Sequence, residues 1–198
     1  TKGAPGERRR FFDLLLGQAQ TKYLKNLVHY KKLLKNRSLL LLEEQPDKTL
    51  FESYTYKMAE IADQLCHERL LLVNWLNDKL EETYSRISGK TDTIYLEYKP
   101  SFRAYGDEGA SFKGQWPQLI EKELLRKRTL MGPHLDDFVI YLNKKSIRQF
   151  GSQGENKTAV IALKLCEYFF LYDQTRERPI MLFDDIFGEL DQSRIRNM

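Results

Sequence analysis

The stretch "GSQGENKTAVIALKLCEYFF", residues 151–170, joins a glycine-rich turn to a run of apolar residues. The apolar side chains recur at the i, i+3, i+4 and i+7 positions that are typical of a buried helix face. This spacing predicts a helix over 155–172 that begins within the turn. The apolar positions of the predicted helix are Ala159, Ala162, Leu163, Cys166, Phe169 and Phe170.

The turn ends in a Lys-Thr pair and therefore invites comparison with a phosphate-binding P-loop. That motif requires a glycine directly before the lysine and a buried strand ahead of the turn. Asn156 occupies the glycine position, and a polar hairpin is predicted upstream, so the stretch is not a P-loop. A helix N-terminus with the Ser152 hydroxyl and the Lys157 ammonium can still bind an anion. Taken alone, a plain Ser/Gly helix cap is the better interpretation.

A second short motif, "PIMLFDD" at residues 179–185, is a continuous apolar run that ends in two carboxylates. The pattern predicts a strand buried in a parallel sheet, with the acids at its carboxyl end, where α/β folds bind ligands. Asp184 would hold Mg²⁺, and Asp185 would orient or deprotonate an attacking water. The alternative is that the two acids only cap the following helix.

The basic residues are concentrated near the start of the chain. The whole chain carries a net charge of +4, whereas residues 1–40 hold ten Lys or Arg against Glu7 and Asp13. A helix predicted over 21–40 aligns its lysines in a ridge, which would attract nucleic-acid phosphate or would simply be a solvated face. Both interpretations stay open. The DNA-binding candidates are Arg8, Arg9, Arg10, Lys22, Lys25 and Lys32.

The remaining pattern predicts a mixed α and β chain. No Gly or Pro interrupts 48–87, which allows one helix of roughly 50 Å at 1.5 Å per residue. A strand over 93–98, a helix over 116–128 and two short strands joined near 143–145 follow. We divide the chain into a helical arm, 1–92, and a mixed lobe, 93–198.

Composition excludes several classes of protein. No run of about 18 apolar residues exists to span a membrane, so we expect a cytoplasmic chain without a membrane partner. Cys66 and Cys166 are too far apart for a CxxC pair and are interpreted as buried free thiols. His134, Asp136 and Asp137 share one turn, which more often organises a loop than binds a metal.

Three stretches together, "GPHLDD", "FGSQGENKTAVIALKLCEYFF" and "PIMLFDDIFGELD", resemble the carboxyl-terminal ATPase lobe of the RecF family. That family of bacterial recombination proteins belongs to the ABC/SMC class of ATPases. The upstream segments "GAPGERRRFFD" and "YLKNLVHYKKLLKNRSLLL" resemble the lead-in to the helical arm of the same family. The resemblance covers nearly the whole chain.

The resemblance implies specific roles. Ser152, Gln153 and Gly154 match the signature that contacts the γ-phosphate of ATP held by the opposite subunit, with Lys157 following it. Asp184 and Asp185 match the Walker B pair, with Asp184 on Mg²⁺. Leu190 and Asp191 match the D-loop at the dimer interface.

The resemblance also implies partners and an activity. The family forms an ATP-dependent homodimer on double-stranded and gapped DNA, with weak DNA-dependent ATPase activity, during repair, replication and the SOS response. RecR and RecO are its partners and RecA an indirect one. Because no G-x-x-x-x-G-K-[ST] occurs, we expect a central fragment that neither binds ATP and Mg²⁺ by itself nor hydrolyses ATP.

Two positions depart from the family pattern. Leu135 replaces an arginine of "GPHRDD", and Glu155-Asn156-Lys157 replaces a Gln-Gln-Arg run, so that Lys157 keeps the charge without the guanidinium fork. Three alternatives stay open. They are an SMC-like structural protein, an OLD-type ATPase fused to a nuclease, and a non-catalytic helical DNA-binding module.

Overall fold

The computed structural model describes residues 3–102 and 111–182. Most of the described chain is helical. The helices are α1 (Pro5–Ala19), α2 (Thr21–Leu40), α3 (Lys48–Ser88), α4 (Phe112–Gln115), α5 (Ile120–Arg126), α6 (Ile147–Phe150) and α7 (Gln153–Thr175). Short 3-10 turns lie at Trp116–Leu119 and Pro133–Leu135.

One small antiparallel sheet accompanies the helices. Its strands β1 (Ile94–Lys99), β2 (Asp137–Leu142) and β3 (Lys145–Ser146) lie in the order β1-β2-β3. Tyr141 pairs with Ser146 across the hairpin, whose two turn residues, Asn143 and Lys144, have φ of 49° and 65°. Two positive φ values are what a two-residue hairpin turn of type I′ requires. Stacked rings at 5.1 Å join β1 to β2 in two pairs, Tyr95 with Tyr141 and Tyr98 with Phe138.

The predicted mixed α and β fold class is confirmed. Helix α2 has the predicted bounds, and α3 confirms one uninterrupted helix of 41 residues. The predicted helix over 116–128 is shorter, because the chain turns left-handed at Lys127, with φ of 49°. Both cysteines are buried free thiols, as expected.

The predicted strand at 179–182 is wrong. Residues 178–182 adopt neither helix nor strand, and the side chains of Ile180 and Leu182 are 89% and 91% exposed. The physical reason is that an apolar run becomes a buried strand only beside a partner strand, and the sheet described here contains only β1, β2 and β3. The rest of that prediction, residues 183–185, lies outside the described residues.

The chain divides into two compact units, each assembled from separate segments. The first contains 1–8, 71–98 and 138–198, and the second contains 9–70 and 99–137. The domain boundary predicted after residue 92 follows the order of elements along the chain and stays a prediction.

The core of the second unit is organised around a buried arginine, Arg37 of α2. Its guanidinium donates to Thr55 Oγ1 and Thr129 Oγ1, each at 3.0 Å, and forms an ion pair with the buried Glu123 carboxylate. The same group lies 4.0 Å above the centre of the Phe51 ring. Burial lowers the pKa of Arg37, and the Glu123 carboxylate opposes that shift. Arg37 therefore holds the unit together and does not belong to the basic ridge.

In the first unit, the core forms between the end of α3, the sheet and α7. The Asn77 side chain joins α3 to β1, because it donates to Leu96 O at 2.9 Å and accepts from Leu96 N at 2.8 Å. The Trp75 ring packs edge-on against Phe170 of α7 at 5.2 Å between centroids. These contacts connect the sheet and α7, which carries the glycine-rich turn at its start, to the end of α3.

Candidate functional site

The start of α7 is fixed by a reciprocal pair of hydrogen bonds. The Ser152 hydroxyl accepts from Glu155 N at 3.2 Å, and the Glu155 carboxylate accepts from Ser152 N at 2.7 Å. This is a capping box, in which a serine at the N-cap and a glutamate three residues later satisfy two backbone donors. Serine and glutamate at this spacing place the helix start at Gln153, two residues before the predicted start.

Asn156 stands where a P-loop has glycine, and its side chain makes contacts that a glycine cannot make. Its buried amide Nδ2 lies 3.2 Å from Ile147 O, 3.0 Å from Gly151 O and 2.9 Å from Ser152 O. One side chain therefore ties α6 to the turn and to the first residue of the cap. Gly151 fits because a Cβ there would stand only 2.5 Å from Ile147 O.

Several donors at the helix start have no partner among the residues that the structure describes. Among residues 3–102 and 111–182, the backbone N–H groups of Gln153 and Gly154 have no hydrogen-bond acceptor. Because the Ser152 hydroxyl accepts from Glu155 N, its proton can still be donated outward. Ser152 and Gln153 are exposed, whereas Gly154 and Lys157 are half-buried. The Glu155 carboxylate partly opposes an anion at this place, because it brings negative charge to the helix start.

The other residues assigned to nucleotide chemistry cannot be placed. Asp184, Asp185, Leu190 and Asp191, predicted as the acidic pair and the D-loop, lie outside the described residues. Their roles stay predictions.

A second buried arginine, which sequence reasoning missed, organises the turn of "GPHLDD". The Arg69 guanidinium bonds Asp136 Oδ2, Asp13 Oδ1 and Pro133 O at 2.7 to 2.8 Å, and its Nε donates to Tyr23 Oη at 3.2 Å. Its sequence signal is an arginine on the otherwise apolar face of α3, four residues after Leu65.

Asp136 is held from several sides. Besides the ion pair with Arg69, its carboxylate accepts from Ser101 N at 2.8 Å, and its backbone oxygen accepts from Arg9 at 2.6 Å. The Cys66 thiol donates to the same carboxylate at 3.5 Å. In the described part of the chain, no three His, Cys, Asp or Glu side chains are arranged to hold a metal ion.

His134 of the same turn is neutral near pH 7. Its Nδ1 lies 2.7 Å from the hydroxyl of Tyr30. Burial, reinforced by the charges of Arg9, Arg37 and Arg69, lowers the pKa of His134 to about 4. Burial likewise raises the pKa of Tyr30, so the hydroxyl keeps its proton beside the neutral imidazole. Next to this histidine, Leu135 is 46% exposed.

The predicted DNA-binding residues separate into two groups. Arg8 donates to Gly3 O, and Arg9 donates to Asp136 O, so both side chains have partners within the protein. The remaining four side chains are exposed, and all but the first lie on α2: Arg10, Lys22, Lys25 and Lys32.

Comparison with known proteins gives a consistent result. The chain is 35% identical to the DNA replication and repair proteins RecF of Listeria welshimeri and Oceanobacillus iheyensis, over 98% of its own length. It is 34% identical to RecF of Clostridium botulinum. No family model matches the chain. It spans about half the length of these relatives, 54% of the first.

Solved structures show the same fold. A structure described as the recombination mediator protein RecF-ATP in the RecFOR pathway superposes with a TM-score of 0.86 at 28% identity. A second, described as RecF-ATPrS, gives 0.85 at 30% identity. Each match covers 98% of this chain and 54% of the solved one.

The long helices and the small antiparallel sheet thus place the chain in the fold class of these solved recombination mediators. Within that class, the chain belongs to the RecF family and corresponds to about half the length of its relatives.

Proposed function

We propose that this chain supplies the helical arm and the signature-bearing part of a RecF-type recombination mediator, which acts with RecO and RecR in repair at DNA gaps. The observation that carries the proposal is the start of α7, where a self-capped turn presents, at an exposed helix end, N–H groups that bond no acceptor in 3–102 or 111–182. Two solved relatives are described as RecF-ATP and RecF-ATPrS, which is in keeping with a nucleotide site in this family.

The geometry favours a phosphate that another subunit presents. The N–H groups of Gln153 and Gly154 and the hydroxyl of Ser152 are donors at the positive end of the helix dipole. The Glu155 carboxylate reduces that field, so a free anion gains little at this turn. A γ-phosphate already neutralised by the Walker A lysine and Mg²⁺ of an opposite subunit would suit it better. ATP would then join the two subunits.

The proposed chemistry at the other motif follows from the resemblance. Asp184 would hold Mg²⁺, Asp185 would orient the attacking water, and Leu190 with Asp191 would form the D-loop contact between subunits. Bound ATP would hold the two subunits together, and its hydrolysis would weaken that contact.

The basic ridge of α2 is the proposed DNA contact. Lys22, Lys25 and Lys32 are exposed, and α2 contains no acidic residue. Lysines in such an arrangement bind phosphate and release counterions without reading base sequence. Arg10 extends the same charge onto α1.

A chimera tests the nucleotide proposal. The region of Listeria welshimeri RecF that matches this chain is replaced by the chain itself, and dimerisation is followed by sedimentation with and without ATP. We expect a dimer that requires ATP, and loss of that dimer in Ser152→Arg, with nucleotide binding by the monomer retained. Val160→Arg, an exposed position on the same helix, is the matched control. A Ser152→Arg chimera that still dimerises with ATP contradicts the proposal.

The DNA proposal is tested on the chain as it is. Fluorescence anisotropy with a gapped duplex, measured at several salt concentrations, gives the number of phosphate contacts from its slope. Replacing Lys22, Lys25 and Lys32 by Gln should reduce the slope by about two to three contacts. The control replaces three other exposed lysines, Lys57, Lys79 and Lys90. Equal losses in both triple variants would refute a specific ridge.

A further inference from the structure

Helices α1 and α2 form an antiparallel pair joined by a single extended residue, Gln20. Near the joint, a Cβ on Gly17 of α1 would lie 3.5 Å from the side chain of Leu24 of α2. At the far end, Arg9 of α1 and Tyr30 of α2 both reach the turn at 134–136. Because the two helices run in opposite directions, residues nearer the start of α1 lie beside residues nearer the end of α2.

An apolar patch lies on the outer side of this pair. Leu24 and Val28, one turn apart on α2, are 46% and 61% exposed, and Leu14, one turn before Gly17 on α1, is 54% exposed. The antiparallel arrangement brings Leu14 into line with Val28. Glycine at position 17 leaves the end of the patch nearest the joint without a side chain. Three exposed aliphatic side chains thus follow the seam between two helices.

The same seam carries only positive charge. One turn further along, exposed Arg10 of α1 comes into line with exposed Lys31 of α2, and exposed Lys35 follows. No acidic residue occurs over 14–40, and the nearest, Asp13, is bound to Arg69 and Tyr23. The seam, defined by Leu14, Leu24, Val28, Arg10, Lys31 and Lys35, therefore combines an apolar half with a cationic half.

We propose that this seam binds an acidic amphipathic helix of a partner protein. Aliphatic side chains of that helix pack on Leu14, Leu24 and Val28, and its carboxylates face Arg10, Lys31 and Lys35. In helix-in-groove binding, the bound helix places apolar anchors at i, i+3 or i+4 and i+7 on an apolar surface, which here is supplied by Leu14, Leu24 and Val28. A DNA backbone would satisfy the cations and leave the aliphatic side chains in water, so the apolar half favours a protein.

Peptide display on the chain tests the proposal. A library of 16-residue helical peptides is selected against the wild-type chain, and selected peptides are measured by anisotropy. We expect enriched sequences with leucine or isoleucine at helical spacing and a net negative charge, which lose at least tenfold in affinity for Leu24→Ser with Val28→Ser. Both positions are exposed, and circular dichroism verifies that this variant keeps its helices.

Charge reversal provides a readout that loss of folding cannot imitate. Lys31→Glu with Lys35→Glu should redirect selection toward basic peptides with the same apolar spacing. The matched control, Lys22→Glu with Lys25→Glu on the other side of α2, should leave the wild-type selection unchanged and weaken DNA binding instead. Four outcomes overturn the proposal: no enrichment, enrichment without net negative charge, self-association of the chain that Leu24→Ser with Val28→Ser abolishes, or weaker DNA binding by that variant.

Discussion

Two short turns of similar length are stabilised in opposite ways. The bonds described at the turn that opens α7 join residues at most nine positions apart, from Ser152 with Glu155 to Asn156 with Ile147. The turn at 132–136 is held by Arg69 and by Arg9, 67 and 127 residues away. The first is therefore a local structure with an exposed edge. The second depends on the whole packing of the unit that contains it.

Removing Arg69 should destabilise the turn at 132–136. Among the changes proposed here, we expect it to have the largest effect on stability. Arg69→Met leaves the buried Asp136 carboxylate without its ion pair and removes bonds to Pro133 and Asp13. We expect a loss of about 3–5 kcal/mol in the free energy of unfolding, measured by urea titration. Arg86→Met, an exposed position on the same helix, is the control and should change stability by less than about 0.5 kcal/mol. A loss below about 1 kcal/mol for Arg69→Met would show that the turn does not depend on this pair.

Acidification should weaken the same turn through His134. Its pKa is about 4 in the folded chain against 6.5 in the unfolded one, so the unfolded state binds more protons between these values. Its contribution to stability is therefore present above pH 6.5 and lost as pH falls toward 4, up to about 3 kcal/mol. His134→Asn keeps a polar side chain beside the Tyr30 hydroxyl and removes the titration. As pH falls from 7 to 4.5, the wild-type chain should therefore lose more of its unfolding free energy than the variant does. If the difference in unfolding free energy between the two proteins stays constant over that range, the pKa of His134 is not lowered in the folded chain.

Asn156→Ala should loosen the turn that opens α7 and have an intermediate effect on the free energy of unfolding. The change withdraws one amide from three carbonyl oxygens, of which Ile147 O is buried with it. We expect a loss of about 1–3 kcal/mol, together with faster hydrogen exchange at Gly151 and Ser152 while the amides of α3 stay protected. Gln153→Ala, an exposed neighbour, is the matched control. Uniformly faster exchange across the chain would mean that the turn is not an independent local unit.

The same contrast explains what the sequence predicted. The bounds of α2 and a strand connection near 143–145 followed from spacing and turn chemistry, because neighbouring residues determine them. The pairing of Arg69 with Asp136 was missed, because no periodicity connects residues 67 positions apart. The strand predicted at 179–182 failed for the converse reason, since apolar character alone does not provide a partner strand. At the candidate site, the helix start was predicted, and the function of Asn156 was not, because its acceptors are backbone atoms that appear only after folding.

Replacing Ser152, the N-cap of α7, should have the smallest effect on the free energy of unfolding. Ser152→Ala removes the acceptor of Glu155 N and should lower the free energy of unfolding by about 1 kcal/mol. Ser152→Asp restores an acceptor at the N-cap and should recover most of that loss, although it adds charge where a phosphate is proposed to bind. Ser38→Ala is the control, because the Ser38 hydroxyl donates to Leu34 O within a helix, where its removal is close to neutral. Equal losses at positions 38 and 152, measured by urea titration, would show that the cap contributes no more than an ordinary serine. In the chimera, Ser152→Asp should keep the fold and lose the ATP-dependent dimer, which separates the capping function of this residue from its proposed contact with ATP.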